Sequence, residues 1–493
     1  MKQTKKQGKS KSMKKKKIES DMYDKAARNK ETNTISFIFV GLFMILAGYL
    51  IYFSAFIGPD VINNSYNKRI DNLSERVVRG EILSADGNVL ASTTTDADGN
   101  ENRVYPYGSV FSHVVGLASH GKSGIEKLSN FFLLSANANV LEQIANDVSS
   151  TKAVGDNVVT TLNVSLQQAA YNALGNNKGA VVVMEPSTGK ILAMVSKPDY
   201  DPNDADAMMN EWITYDSADS VLLNRATQGL YPPGSTFKIL TTIEFIRENP
   251  QYNSFNYSCT GSTTTKGAST IHCFNETVHG SEDLNRAFAN SCNSAFATIG
   301  QTLNVQNYKT LCESFAFNND LPIGIEYNKS SFKLDTSSNV SEIMETSIGQ
   351  GRTQITPIHN LMIVATIANK GVMMQPYFVD KVVTADNQVV QQYNPTEYKK
   401  LMTEQEAKTL TGYMRSVVTM GTGSSFKNTS YTMVGKTGSA QYDSSENYHS
   451  WFVGFAPEEN PQIAISVILE GGYTNVASAQ VVAKKVTDAY FSK

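Results

Sequence analysis

Residues Ile35 to Ile57, ISFIFVGLFMILAGYLIYFSAFI, run without a charged side chain, and nothing else in the chain limits its folding so strongly. As a helix rising about 1.5 Å per residue, the run matches a hydrocarbon core of roughly 30 Å. It is predicted to be a membrane span rather than a buried core helix, because its flanks differ so much. Ahead of it lie Lys2, Lys5, Lys6, Lys9, Lys11, Lys14 to Lys17, Lys25, Arg28 and Lys30, whereas behind it Asp60 precedes the first cations, Lys68 and Arg69. The positive-inside rule then makes residues 1–34 a basic cytoplasmic tail, 35–57 a transmembrane anchor, and the chain past about Gly58 extracellular. The run is longer than the apolar part of a secretory signal and no A-x-A cleavage pattern follows it, so it reads as uncleaved.

The whole-chain formal charge of −3 hides this division. Residues 1–30 hold 12 basic and 3 acidic side chains, and the remaining 31 basic and 43 acidic ones leave the outer part near −12. Such a balance favours solubility and argues against nucleic acid as a partner. Cys259, Cys273, Cys292 and Cys312 are too few for a disulfide scaffold and lack the close pairs of a zinc site. A Cys259–Cys273 bridge around the Thr/Ser/Gly-rich loop and four free or buried thiols both fit the spacing. With no H-E-x-x-H among the six histidines, neither a metal nor another cofactor is expected.

Beyond the span, VVRGEILSADGNVLAST (Val77 to Thr93) reads as two short strands around the turn Ala85-Asp86-Gly87. A helical pattern follows near Asn137 to Val148, and residues 58–163 are expected to form a small membrane-proximal pedestal. Residues 164–493 form the main domain. GAVVVMEPSTGKILAMVSKP is a predicted hairpin about Pro186-Ser187-Thr188-Gly189, and YTMVGKTGSA, SWFVGFAP and PQIAISVILEGG are three later strands. AQVVAKKVTDAYF is amphipathic at helical spacing, and the middle, Leu222 to Lys370, reads as the helical part. Strands at both ends with helices between them imply an α+β domain whose antiparallel sheet is assembled from distant segments and flanked by helices.

The chemistry is concentrated in three short stretches. In YPPGSTFKIL, Ser235 stands at the start of a helical pattern with Lys238 one turn along the same face, so the amine is within reach of the hydroxyl. A helix N-terminus favours a nucleophile and a developing oxyanion. Ser-x-x-Lys also occurs at Ser12, Ser149, Ser187, Ser330 and Ser424, so by itself it is equally an ordinary N-cap. A lysine acting as base must be neutral, hence desolvated or beside another cation. Lys436 in VGKTGSA offers that cation, with Thr437 and Ser439 adding hydroxyls suited to a carboxylate and Gly438 admitting a ligand backbone. Between the two lies LNRAFANSCNSAFATIG, a helical pattern interrupted at Ser291-Cys292-Asn293, where a hydroxyl and an amide share a loop.

Taken in order, Ser-x-x-Lys, Ser-x-Asn and Lys-Thr-Gly are the motifs of penicillin-binding proteins and serine β-lactamases. With RGEILSADG, GAVVVMEPSTGKILAMVSKPDYDPN, Ser347 to Gly351, Thr356 to His359 and WFVGFAP, nearly everything past the span resembles class B penicillin-binding proteins. These are the membrane-anchored D,D-transpeptidases of peptidoglycan synthesis, in the penicilloyl serine transferase superfamily. The resemblance implies a transpeptidase-like fold and a serine acyl-enzyme. Ser235 would attack a D-Ala-D-Ala stem peptide, Lys238 would be the general base, and Ser291 would relay the proton. Asn293 would hold the substrate amide, while Lys436, Thr437, Gly438 and Ser439 would receive the terminal carboxylate. It also implies β-lactams as inhibitors and, with no space for a glycosyltransferase domain before the catalytic one, a separate membrane glycan polymerase as partner.

Alternatives remain at this level. A D,D-carboxypeptidase or β-lactamase would use water as acceptor, but the nearest match to an E-x-x-L-N loop, Glu282-Asp283-Leu284-Asn285, precedes Ser291 instead of following it. A non-catalytic β-lactam-binding scaffold is disfavoured because no expected side chain is missing. For an inward-signalling receptor the tail before Ile35 is too short to form a domain.

Overall fold

The structure is a computed structural model that describes residues 4–53, 76–137, 152–214, 219–442, 447–472 and 478–492. Two units result, Met1–Asn67 and Lys68–Lys493. In the first, one continuous helix covers Thr4–Tyr52, so the lysine-rich tail is helical as well as the apolar run. The large apolar side chains from Ile35 to Tyr52 are exposed. Among the described residues this is the one helix long and apolar enough to cross a membrane. Residues 54–57 of the expected span, and the helical pattern expected past Asn137, lie outside the described residues.

The second unit is organised by a sheet in which two strands are buried along their whole length. Strands β1 (Gly179–Met184), β2 (Ile191–Lys197), β3 (Val434–Gln441), β4 (Tyr448–Ala456) and β5 (Ile463–Leu469) form one antiparallel sheet in the order β3-β4-β5-β1-β2. Every residue of β1 and β5 is buried, which requires cover on both faces. The helices that matter here are α1 (Val164–Leu174), α2 (Lys238–Glu248), α3 (Leu284–Ala289), α4 (Asn293–Thr302), α5 (Pro357–Ala368) and α6 (Ala479–Phe491). Successive side chains on β1 point to opposite faces. Val181 and Val183 join Leu166, Ala170, Val482 and Val486 of α1 and α6, whereas Ala180, Val182 and Met184 enter the larger core containing Ile358, Leu361 and Met362 of α5. From Pro357 to Ile367 every residue of α5 is buried, as expected of a helix that is apolar on all sides.

The 179–197 hairpin, the three late strands and the final helix thus form as expected. The middle carries α2 to α5 but is helical over less than half its length, and it also contributes the antiparallel pair Asn256–Cys259 and Gly280–Asp283. The two strands expected around Ala85-Asp86-Gly87 pair antiparallel as Ile82–Leu83 and Val89–Thr95. They belong to a six-stranded sheet that also takes in Val379–Val383 and Val389–Gln392, so the sheet of the 58–163 region takes strands from beyond residue 164.

In the same region, arginines from two segments clamp one carboxylate. Arg79 Nε donates to Glu126 Oε2 at 2.7 Å and Arg103 Nε to Glu126 Oε1 at 2.8 Å. Glu126 is fully buried. Burial alone would push its carboxyl up, but the charges and hydrogen bonds of Arg103 and Arg79 outweigh it and hold the group below its usual 4.5. The stabilisation is therefore present above the ordinary glutamate value and lost as pH falls through the lowered one. Glu126→Ala is expected to cost about 3–5 kcal/mol by leaving two guanidinium groups unpaired. Thermal unfolding of wild type and variant checks this, and an unchanged midpoint would exclude a structural role for the clamp.

Candidate active site

The turn carrying Ser235 is set by a glycine. Gly234 has φ +53°, and a Cβ there would lie 2.6 Å from the carbonyl oxygen of Ser439 on β3. Its N–H donates to the Gly349 carbonyl at 2.8 Å. The chain therefore threads between β3 and a second loop where no side chain fits. A 3-10 turn, Gly234–Phe237, then runs directly into α2. Thr236 Oγ1 donates to the Pro233 carbonyl at 2.8 Å and accepts from Asn360 Nδ2 of α5 at 3.1 Å. Ser235 is left partly exposed at a helix start, lining an open cleft of about 1260 Å³.

Ser291 closes the other side of the same cleft. Helix α3 ends at Ala289, α4 begins at Asn293, and Ser291 between them has φ +59°. Glycine usually fills such a left-handed position, so a serine costs on the order of 1–3 kcal/mol there. Asn290 Nδ2 donates to the buried Glu282 Oε1 at 2.6 Å, which secures the break. Glu282 thus serves the turn.

Two buried lysines meet at Ser291. Lys238 Nζ donates to the Ser291 carbonyl at 2.7 Å, to Ser291 Oγ at 3.3 Å and to Asn293 Oδ1 at 2.7 Å. Lys436 Nζ donates to the same Ser291 Oγ at 2.9 Å and to its neighbour's carbonyl, Thr437 O, at 3.1 Å. Both side chains are fully buried. Burial pulls the Lys238 amine down to about 8. It pulls Lys436 down as well, with repulsion from Lys238 adding to the effect. The expected second cation is present, and one hydroxyl links the pair. Among the described residues no hydrogen bond reaches the Ser235 hydroxyl, so the amine expected beside it is engaged with Ser291 and Asn293 instead.

On β3 the side chains alternate: Lys436, Gly438 and Ala440 are buried, while Thr437, Ser439 and Gln441 are partly exposed. Thr437, Gly438 and Ser439 line the cleft with Ser235, Ser291 and Asn293. All eight residues singled out in the sequence therefore converge. Gly438 also serves the protein's own packing, since a Cβ there would come within 3.1 Å of Thr236 and Trp451, and its smallness lets the Ser235 turn lie against the strand. Asn293 also spends its amide on the protein, Nδ2 donating to the His272 carbonyl at 2.9 Å.

Sequence reasoning missed Thr422, whose Oγ1 bonds Thr437 Oγ1, and Gln350, whose side-chain amide pairs with the backbone of Gln441. It also missed Asn360, although a polar residue inside the apolar run PIHNLMIVATIA was a usable signal. Cys259, Cys273, His279 and Cys292 come together beneath the Ser291 break, with their ligand atoms all within 4.8 Å of one another. The cysteines lack close pairs in sequence and yet meet in space.

Residues 179–488 match the penicillin binding protein transpeptidase domain, and residues 79–158 match the penicillin binding protein A dimerisation domain. A curated relative, the peptidoglycan D,D-transpeptidase PbpA of Mycolicibacterium smegmatis, is 32% identical over 434 residues, covering 82% of this chain and 87% of that protein. Among solved structures, the D,D-transpeptidase domain of a peptidoglycan glycosyltransferase from Eggerthella lenta superposes with a TM-score of 0.77 at 32% identity, over 85% of this chain and 99% of that one. The ceftriaxone acyl-enzyme complex of penicillin-binding protein A from M. tuberculosis gives 0.76 at 27% identity, over 86% and 99%.

Gly234→Ala is expected to destabilise the chain by about 1–3 kcal/mol, because the added carbon meets backbone at a left-handed position. Denaturant unfolding measures the loss, and a neutral result would show that the turn has slack.

Proposed function

The chain belongs to the penicillin-binding protein transpeptidases and is a class B peptidoglycan D,D-transpeptidase of cell wall synthesis, and from that premise we propose the role of each side chain in the cleft. Ser235 Oγ attacks the carbonyl of the penultimate D-alanine as its proton passes to the neutral amine of Lys238. The backbone N–H groups of Ser235 and Ser439 stabilise the oxyanion. The carbon–nitrogen bond then breaks, the departing D-alanine takes a proton relayed through Ser291 Oγ, and the acyl group remains on Ser235 as an ester. An amine of a neighbouring stem peptide attacks that ester by the reverse sequence, which forms the cross-link and returns the proton to Ser235. Asn293 orients the substrate amide. Thr437 and Ser439 receive the terminal carboxylate, with Lys436 supplying positive charge from behind.

One observation carries this reading: Ser291 Oγ lies 3.3 Å from Lys238 Nζ and 2.9 Å from Lys436 Nζ on the wall of the cleft that Ser235 lines. Such a bridge moves a proton between two amines without exposing either to water. Strand β3 supports it, being the edge of its sheet and able to pair with an extended peptide.

The arrangement in the membrane belongs to the same proposal. The lysine-rich end of the N-terminal helix lies in the cytoplasm, its apolar part anchors the chain, and the unit from Lys68 onward works outside. A separate membrane-embedded glycan polymerase supplies the strands to be joined. The charge asymmetry about the apolar run supports the orientation, and the match of residues 79–158 to a dimerisation domain leaves little chain for a polymerase there.

Labelled penicillin added to membranes carrying the chain is expected to give a long-lived adduct on Ser235 that Ser235→Ala abolishes. Equal labelling of the variant would refute the assignment, and rapid loss of the label would favour the hydrolases. Because the base must be proton-free and burial holds Lys238 at about 8, the second-order acylation rate should rise with pH and level off above that value. A rate that falls between pH 6 and 8 would remove Lys238 from the role.

A further inference from the structure

The wall of the catalytic cleft holds one charged group that the reaction leaves unused. Lys238 and Lys436 lie beneath that wall, and among the described residues that line it there is no lysine or arginine. Glu345, near the end of the helix Val340–Ser347, does line it. The Glu345 carbonyl accepts from the Ile348 and Gln350 N–H groups at 3.2 and 2.9 Å, and the next carbonyl but one, that of Gly349, accepts from Gly234 beside Ser235. The Glu345 side chain is partly buried, and among the described residues no hydrogen bond or ion pair reaches its carboxylate. Arg352, just past the same turn, is engaged with Glu342 instead, Nη2 donating to Oε1 at 2.7 Å. Burial, and then the negative charge of Glu342, hold the Glu345 carboxyl above its usual 4.5. A carboxylate in that condition gains from a cation.

The path of the substrate leads to this carboxylate. On the roles proposed above, the terminal carboxylate lies at Lys436 and Thr437 and the carbonyl under attack lies near the Ser439 N–H, so the donor peptide runs antiparallel to β3. An extended chain advances about 3.3 Å per residue, and the residue ahead of D-Ala-D-Ala therefore arrives beside Gln441. There the side-chain amide of Gln350 pairs with the Gln441 backbone and ends the free edge of the strand. The peptide must leave β3 at that point, against the turn that carries Gln350 and Glu345. Gly351 keeps space beside the carboxylate, since its φ is +73° and a Cβ there would stand 3.4 Å from Glu345 Oε2.

Donor and acceptor are stem peptides of the same kind. Each carries the amine that an acceptor uses, and in a donor that amine is unreacted and positively charged at neutral pH. Once used in a cross-link it is an amide without charge. We propose that Glu345 receives the free ammonium group of the donor stem peptide, on the residue preceding D-Ala-D-Ala, and so selects donors not yet cross-linked through that amine. This inference rests on the catalytic reading above. Glu345 decides which donor is held, and the acyl transfer itself is left to Ser235, Lys238 and Ser291.

The test uses two synthetic peptides ending in D-Ala-D-Ala, identical except that the side-chain amine of the preceding residue is free in one and acetylated in the other. Both compete with labelled penicillin for Ser235 of the full-length chain in detergent. The free-amine peptide is expected to halve the labelling at a concentration about tenfold lower, the worth of one hydrogen bond between charged groups. Glu345→Gln should bring the two concentrations together, and Glu345→Asp should restore part of the gap. Equal protection by both peptides in the wild type, protection by neither, or a gap that survives in Glu345→Gln, as it would if the side chain were merely structural, would overturn the proposal. If penicillin does not label Ser235 at all, the catalytic assignment falls and takes this inference with it, whereas labelling with equal protection removes the donor subsite alone.

Discussion

Two ammonium groups share one hydroxyl while both are themselves buried from water, and most of the catalytic unit is arranged to make that tolerable. Lys238 and Lys436 contact Ser291 Oγ at 3.3 and 2.9 Å, so their nitrogens lie no more than about 6 Å apart. Like charges at that separation repel by on the order of 3 kcal/mol at an effective dielectric of 20. Such repulsion is equivalent to about two pH units on one of the amines. Burial acts in the same direction on both. The pair therefore gives up a proton that an isolated lysine would keep, and a basic amine becomes available near neutral pH.

Rigid elements deliver the three partners. Lys238 opens α2 directly after a turn that only glycine can make, Lys436 lies on a strand paired residue by residue with β4, and Ser291 occupies a chain break held by Glu282 and Asn290. The strained Ser291 is the least economical of the three, since glycine would fit there at lower cost. Its retention makes sense only through its hydroxyl, which both amines use. The core beneath is correspondingly well filled, with α5 buried on all sides and Asn360 reaching out of it to hold Thr236.

What the sequence disclosed follows from how local each signal is. Hairpins such as 179–197 declare themselves through two β-rich apolar runs and a turn of fixed chemistry, and the three motif stretches through residue types at short spacing. The six-stranded sheet was not legible, because nothing near Ile82 states that Val379–Val383 will share its sheet. The Glu126 clamp and the cysteine cluster were hidden for the same reason, being built from segments tens of residues apart. Even within the site, spacing gave the members and not their contacts. It brought Lys238 near Ser235, whereas the structure directs the amine to Ser291 and Asn293, and it did not show that Gly438 also makes room for Thr236.

The chain past residue 30 is acidic, yet it acts on a peptide ending in a carboxylate, so attraction to the substrate must be local. The charge near −12 repels anions in general. Beneath Thr437 and Ser439, by contrast, the positive charge of the buried lysine pair is held in a medium that screens it weakly. On the proposed roles, a carboxylate resting on those hydroxyls lies closer to Lys436 than to Lys238 and lowers the cost of charge on Lys436. The proton that the pair lacks is then missing from Lys238. Substrate binding in this way selects which amine is the base, and the free enzyme need not carry a fully neutral lysine before its substrate arrives.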